Sequence, residues 1–340
     1  MSRNLRIALI AGALGLLLIA AAIGWVLPSW LYARDFDAVR GDLARVVWGD
    51  EEESKDGRLV SFDAWSQTGL HVTGTLRLPP NAETSRPRYV SLILGGHRTG
   101  AKAARLIHQP PSHAVAAIDY PYRGATKWRL PGDALVHGSA LLRALRTTGP
   151  ALSLAAAALA EHPIVGGSGV ILVGASLGAP FAVQAAAADP SFAALVLLYG
   201  FADLDHMFEH ALTRLEWPLL LRRGAVKLAS HLVRDFEPAN RLQRIESMPV
   251  LLVNDLQDHL VPRQCVEALH RAAPAGATFR LIESGHVRPK NEQLIADLTE
   301  LVFVWSDTLA MGDSPPGPGF HGDGRAAQHD VVPRATFSHP

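Results

Sequence analysis

Ser176 lies at the centre of the only G-x-S-x-G pattern in the chain, between Gly174 and Gly178. The pattern directly follows the apolar run GVILV and opens a stretch with helical periodicity, LGAPFAVQAAAA. A strand, a tight turn and a helix in this order form a nucleophile elbow, whose glycines allow a turn that exposes the serine hydroxyl. We therefore predict a nucleophilic serine at 176. The backbone N–H of Leu177, at the start of the helix, is expected to stabilise an oxyanion.

A serine nucleophile needs a general base and a carboxylate that orients this base, usually in the chain order serine, acid, histidine. Asp258 follows the seventh predicted strand in NDLQDHLVP, and His286 follows the eighth in ESGHVRP. Both loops are expected at the same sheet edge as Ser176, so we predict that Asp258 is the acid and His286 the base. Asp255 directly abuts the strand and is the second candidate for the acid. His259 is expected to be an exposed loop histidine.

The second oxyanion donor is expected in the loop after the third predicted strand, which runs from Gly95 to Gly100. Its glycines let the backbone approach a substrate carbonyl. The N–H of His97 is our first choice and that of Arg98 the second. The loop resembles a phosphate-binding loop, but Ala101 and Lys102 follow it instead of Lys and Ser or Thr, which argues against nucleotide binding.

A second pattern points to different chemistry. His206, Glu209 and His210 match H-x-x-E-H, an inverted zinc-protease signature, in a stretch with helical periodicity. A third ligand is not identifiable, so a polar helix face is the favoured interpretation and we predict no metal. The three histidines of the C-terminal tail are irregularly spaced and are expected to be solvated.

Composition excludes several classes of function. The 340 residues carry 32 Lys and Arg against 32 Asp and Glu, so no net charge attracts a nucleic acid. The single cysteine, Cys265, excludes a disulfide within the chain and a cysteine-rich metal site.

The elements that must position these residues follow from the hydrophobic pattern. Short apolar runs alternate with longer helical patterns, and several runs are apolar almost throughout, as strands covered on both faces are. We predict an α/β fold with an eight-stranded, mostly parallel sheet flanked by helices. The predicted strands are 58–65, 70–78, 89–96, 113–120, 169–176, 192–200, 249–255 and 277–284. The predicted helical stretches are 99–110, 134–161, 177–189, 262–272 and 289–310.

Residues 201–248 interrupt the alternation with a helical insertion after the sixth predicted strand. An insertion there is expected to form a cap over the active-site edge. Its apolar side chains either line an acyl pocket or pack the cap onto the sheet; they are Met207, Phe208, Leu212, Leu215, Trp217 and Leu219 to Leu221.

The N-terminal segment 1–33 predicts a membrane anchor. The apolar stretch from Ile7 to Leu27 would span roughly 31 Å as a helix, close to the hydrocarbon thickness of a bilayer. Arg3 and Arg6 precede it, which favours a single pass with the N-terminus inside and a catalytic domain in the periplasm or outside the cell. A cleaved signal peptide is the alternative.

Three further divisions complete the predicted organisation. Residues 34–57 are expected to form a charged, solvated stalk, and 58–310 a hydrolase domain that contains the cap. Residues 311–340 are expected to be disordered.

These residues resemble the α/β-hydrolase superfamily, in its dienelactone-hydrolase-like and esterase or acyl-peptidase branch. The resemblance covers about 58–305 and rests on SFDAWSQTGLHVTGTLRLP, LILGGHRTG, DYPYRGAT, GASLG, FEPANRLQRIESMPVLLVNDLQDHLVP and ESGH. It implies that Ser176 is the nucleophile, Asp258 the acid and His286 the base. The chain departs from the family at Leu94, where relatives often have His, and at Asp255, where Gly is common.

The sequence thus predicts a membrane-anchored serine hydrolase that cleaves an ester, thioester or amide of a small-molecule acyl substrate without a cofactor. Three alternatives stay open: an acyltransferase with the same triad, a zinc peptidase that uses the H-x-x-E-H pattern, and a non-catalytic binding protein on the same scaffold.

Overall fold

A single mixed sheet with helices on both faces forms the body of the chain. The computed structural model describes residues 35–54, 56–96, 99–107, 112–122, 131–213 and 219–311. The strands are β1 (Leu43–Ser54), β2 (Gly57–Ser66), β3 (His71–Leu78), β4 (Tyr89–Leu94), β5 (His113–Ile118), β6 (Gly169–Ala175), β7 (Ala194–Leu198), β8 (Val250–Asn254) and β9 (Thr278–Leu281). The α-helices are α1 (Phe36–Arg40), α2 (Ala103–Leu106), α3 (Pro131–Ala160), α4 (Ala179–Ala188), α5 (Leu204–Thr213), α6 (Leu219–Val233), α7 (Pro238–Leu242), α8 (Arg263–Ala272) and α9 (Glu292–Met311).

The parallel part of the sheet brings strand ends to one edge. The strand order is β1-β2-β3-β5-β4-β6-β7-β8-β9, and β4 to β9 are mutually parallel. Strands β5, β7 and β8 are buried at every position, because helices cover both faces of the sheet. The predicted mostly parallel sheet flanked by helices is therefore present, and the carboxyl ends of β4 to β9 share one edge.

The segment predicted as a solvated stalk contains a strand. β1 pairs antiparallel with β2, so the described sheet has nine strands instead of the predicted eight. Trp48 of β1 packs against Phe62 at a centroid distance of 5.3 Å and against His162 at 4.5 Å. The acidic run Asp50 to Glu53 concealed this strand, because it lies on a solvent-exposed edge where charge is tolerated.

Two apolar layers hold the helices against the sheet. Helices α3, α4 and α8 pack on one face, around Leu152, Phe181 and Leu269. Helices α2 and α9 pack on the other face, around Ala104 and Leu298. The site edge therefore lies between two helical layers of unequal size.

Only part of the insertion 201–248 forms the predicted cap. α5 packs over a small apolar cluster with Leu204, Phe236 and Val261, and contacts α6 and α8. In contrast, α7 packs on α4 and α8 and belongs to the body of the domain. The sequence pattern could not separate these helices, because each has an apolar face.

The part of the chain that the structure describes holds no helix long and apolar enough to cross a membrane. The anchor predicted at 1–33 lies outside the described residues, as does the tail predicted at 311–340 except for Met311, which ends α9.

Candidate active site

Ser176 occupies a sharp turn between β6 and α4. Its φ is +52°, a left-handed conformation that is uncommon for residues other than glycine and concentrates at functional sites. A Cβ on Gly174 would lie 2.6 Å from the Cβ of Ala182, and one on Gly178 would overlap the carbonyl oxygen of Leu94. Both glycines of the pattern are therefore required by close packing of the turn against α4 and β4.

Three side chains from separate loops form one hydrogen-bonded chain. The hydroxyl of Ser176 donates to Nε2 of His286 at 2.9 Å. Nδ1–H of His286 donates to Oδ2 of Asp258 at 2.6 Å. Because Nδ1 holds the proton, Nε2 is free to accept one from the serine. This arrangement permits nucleophilic attack by Ser176 with His286 as general base.

Burial and hydrogen bonds set the charge of Asp258. Its side chain is 1% exposed and that of His286 is 8% exposed. Burial by itself raises the pKa of the Asp258 carboxyl, but hydrogen bonds from His286 and from the backbone N–H groups of Leu260 and Val261 outweigh it. The net pKa lies below its ordinary value, so the group stays a carboxylate near neutral pH.

Asp255, the second candidate for the acid, holds the histidine loop. Its Oδ2 accepts hydrogen bonds from the backbone N–H groups of Ser284, at 2.9 Å, and Gly285, at 2.7 Å. Its Oδ1 accepts from the N–H of Gln257 at 2.7 Å. Asp255 thus ties the loop of Asp258 to the loop of His286, a role that the sequence pattern did not reveal. Its position directly after β8, at the site edge, was the available signal.

Tyr199 supports the same loop from the end of β7. Its hydroxyl lies 2.6 Å from Oγ of Ser284, and its ring contacts the imidazole of His286 edge-on at 5.3 Å. Burial raises the pKa of Tyr199 to about 12, so the phenol stays neutral and can act as a donor. Tyr199 therefore restricts the orientation of the histidine.

The proposed oxyanion donors lie on two elements. Leu177 lies in the helical turn Ser176–Gly178 that precedes α4, where the first backbone N–H groups have no partner within the helix. His97 and Arg98 lie outside the described residues. Flanking them, Gly95 accepts a 2.6 Å hydrogen bond on its carbonyl from the hydroxyl of Tyr120, and the N–H of Ala101 donates to Asp119 at 2.8 Å.

Asp119 and Tyr120 therefore shape both ends of the glycine loop. Gly100, beside Asp119, has a φ of +50° and leaves no space for a Cβ. Neither side chain was predicted as functional, although both directly follow β5 at the site edge.

The H-x-x-E-H pattern lies on α5, but its two imidazoles have other partners. Nδ1–H of His206 donates to Asp203 at 2.6 Å, at the start of the helix. Nε2–H of His210 donates to the carbonyl of His259 at 3.2 Å. Within the described residues, no group of three or more His, Cys, Asp or Glu could hold a metal ion. His206 thus stabilises the start of α5, and His210 bonds the loop that contains His259.

Two cavities meet at the Ser176–His286 pair. The first, of about 190 Å³, extends from Ser176 between the sheet and α9. The second, of about 220 Å³, lies under α5 and is lined by Met207, His210 and Leu260. Of the cap side chains proposed for an acyl pocket, Met207 thus lines the second cavity, Phe208 packs in the cluster under α5, and Trp217 lies outside the described residues.

No protein-family profile and no curated protein matches the sequence. Among solved structures, the chain is similar to acetyl xylan esterase 1 from Thermoanaerobacterium sp., with a TM-score of 0.55 and 16% identity over 81% of this chain and 92% of that chain. It is also similar to the acetyl xylan esterase from Paenibacillus sp. R4, with a TM-score of 0.50 and 17% identity over 80% of this chain and 93% of that one. At these identities the likeness is one of fold. The chain has the α/β-hydrolase fold, so the resemblance to that superfamily is confirmed at the level of architecture.

Proposed function

We propose that this protein is a serine hydrolase that cleaves a carboxylic ester through an acyl-enzyme on Ser176. The observation that carries the proposal is the hydrogen-bonded chain from Ser176 through His286 to Asp258. Thioesters and amides are open to the same chemistry. An ester is favoured because both structural neighbours named above are esterases.

Each residue has one task in the proposed reaction. Oγ of Ser176 forms a bond to the carbonyl carbon while Nε2 of His286 takes the hydroxyl proton. Asp258 keeps the imidazole in the required tautomer and stabilises its charged form. The N–H groups of Leu177 and His97 bind the oxyanion. His286 then protonates the leaving alcohol as its bond to carbon breaks, and a water molecule activated by His286 releases the acid.

Labelling with a small fluorophosphonate and hydrolysis of p-nitrophenyl esters test this proposal. Wild type is expected to be labelled once per chain, and Ser176→Ala to lose labelling and turnover. Ser85→Ala is the matched control, because Ser85 lies on an exposed turn. Asp258→Asn is expected to lower kcat by about 10⁴-fold, since the wrong imidazole tautomer is then favoured.

Two outcomes would overturn the proposal. One is an unlabelled wild type without esterase activity, which is expected of a binding protein. The other is activity that survives Ser176→Ala and disappears with a chelator, which would restore the zinc interpretation of His206 and His210.

We also propose that residues 1–33 anchor the protein in a membrane, with the catalytic domain on the outer side. The support is the length of the apolar stretch Ile7 to Leu27 and the arginines that precede it. The full chain is expected to stay in the membrane fraction after carbonate washing and to be degraded by protease added to spheroplasts. Release into the soluble fraction by washing would contradict the anchor.

A further inference from the structure

The cavity beside Ser176 has a wall made by the sheet. Ile93 of β4 and Val173 of β6 are aligned neighbours in the sheet, and both line the cavity below the serine. Ser91 lies two residues earlier on β4, about 7 Å deeper. Its hydroxyl is buried and has no hydrogen-bond partner among the described residues. The sheet wall is thus apolar near the serine and ends in a single polar atom.

The facing wall belongs to α9. Ile295, Leu298, Val302 and Phe303 line the cavity and share one helix face, which extends for about 12 Å. The ring of Phe303 stacks on His113, the first residue of β5, at 4.6 Å. Because β5 begins at the sheet edge opposite the carboxyl ends of the strands, Phe303 closes the deep end of the cavity.

We propose that this cavity binds the acyl chain of the substrate and selects straight chains of about six to eight carbons. The proposal rests on the proposed function, since it assumes attack by Ser176. An apolar cavity of about 150 Å³ accommodates benzene, with its six carbons, so one of about 190 Å³ has space for a slightly larger hydrocarbon. Each methylene buried there is worth about a fourfold gain in affinity.

The second cavity is available to the leaving group. It lies under α5 on the cap side of the Ser176–His286 pair, and His286 must reach the leaving oxygen to protonate it. Gly95 and Gly96, from the proposed oxyanion loop, line the first cavity instead. The carbonyl oxygen and its acyl chain therefore belong on the side of the first cavity, and the alcohol belongs under the cap.

Val302→Phe tests the acyl assignment, with Val304→Phe as the matched control. Val302 is buried at the cavity wall, whereas Val304 on the same helix is 39% exposed. With p-nitrophenyl esters from acetate to dodecanoate, kcat/KM of wild type is expected to be highest at hexanoate or octanoate. Val302→Phe is expected to lower the octanoate-to-acetate ratio of kcat/KM at least tenfold, and Val304→Phe to leave this ratio unchanged.

A second series varies the alcohol instead of the acid. Acetate esters of butanol, hexanol and octanol should show no change of preference in Val302→Phe. An altered alcohol preference with an unaltered acyl preference would overturn the proposal and assign the cavity to the leaving group. Unaltered preference in both series, in a variant with wild-type thermal stability, would also overturn it.

A third experiment uses only the wild-type protein, and it distinguishes a failure of the acyl-chain proposal from a failure of the serine hydrolase proposal. Ser176 of wild type is expected to react at least tenfold faster with a hexylphosphonate p-nitrophenyl ester than with the methylphosphonate ester. Equal rates would overturn the acyl-chain proposal and leave the serine hydrolase proposal intact. Absence of reaction with both, together with absence of ester hydrolysis, would overturn the serine hydrolase proposal itself.

Discussion

Asp255 and Asp258 show how neighbouring carboxylates of one loop take different tasks. Both are buried, but Asp258 faces the imidazole of His286, whereas Asp255 faces backbone N–H groups of the histidine loop. The bonds of Asp255 hold the backbone of the histidine loop, whereas Asp258, which also accepts from backbone N–H groups, bonds the imidazole itself. In the proposed reaction, Asp255 is therefore a positioning residue, because it holds the loop that carries His286.

Asp255→Asn is expected to lower kcat for ester hydrolysis by about 10²-fold with little change in KM. The amide would lose at least one of the bonds to the N–H groups of Ser284 and Gly285, and a small displacement of a catalytic group costs a factor of this size. Steady-state kinetics with a soluble ester measure both constants.

Asp189→Asn is the matched control for Asp255→Asn. Asp189 is also buried and bonds the N–H and the hydroxyl of Ser191, but it lies at the far end of α4 from Ser176. If both substitutions reduced kcat equally, the effect would be a general loss of stability and not one of position.

A half-buried histidine joins helix α8 to the sheet. Nε2–H of His270 donates to Oδ1 of Asn254 at 3.1 Å, and Nδ2 of Asn254 donates to the carbonyl of Gly200 at 2.9 Å. Burial lowers the pKa of His270 to about 4. Burial therefore favours the neutral imidazole in the folded chain, in a part of the structure that supports the ends of β7 and β8.

This connection predicts a pH dependence of stability. Between about pH 6.5, the ordinary pKa of histidine, and about pH 4, the unfolded chain binds a proton at His270 that the folded chain does not. The free energy of unfolding of wild type is thus expected to fall as pH falls through this window, by at most about 1.4 kcal/mol per pH unit for this group.

His270→Gln removes the titration and keeps a donor. Denaturant unfolding of both proteins from pH 8 to pH 4 is expected to show a difference in stability that is constant above pH 7 and shrinks below 6.5. Parallel profiles across the whole range would show that His270 does not control acid stability.

Strand β1 extends the apolar core of the domain. β1 covers one side of β2, and Trp48 packs between Phe62 of the sheet and His162, which follows α3. The segment that was expected to separate the catalytic domain from the membrane is thus partly integrated into that domain. Under the proposed anchoring by residues 1–33, the spacer between the membrane and the fold is correspondingly shorter than predicted.

Trp48→Ala is expected to lower the free energy of unfolding by about 1–3 kcal/mol, less than the 3–5 kcal/mol typical of a fully buried aromatic residue. The reason is that Trp48 is only partly buried. Val47→Ala, at a neighbouring position that is 51% exposed, is expected to change stability by less than about 0.5 kcal/mol. Denaturant unfolding measures both free energies. A loss in Trp48→Ala as small as that expected for Val47→Ala would mean that Trp48 contributes no packing.

Sequence patterns were sufficient to predict the alternation of strands and helices, the turn at Ser176, and the common edge of Ser176, Asp258 and His286. These features follow from local rules, because hydrophobic period identifies the elements and parallel pairing aligns their carboxyl ends. The α/β fold and the resemblance to the superfamily followed from them.

Contacts between segments distant in the chain are visible only in the folded structure. The cavity wall of Ile93 and Val302 joins β4 to α9, and the hydrogen bonds of Asp255 join two loops that are separate in the chain. The charged strand β1 has no apolar alternation of its own strong enough to reveal its pairing. Such contacts depend on how layers pack and on burial across long sequence separations, and hydrophobic period carries no information on either.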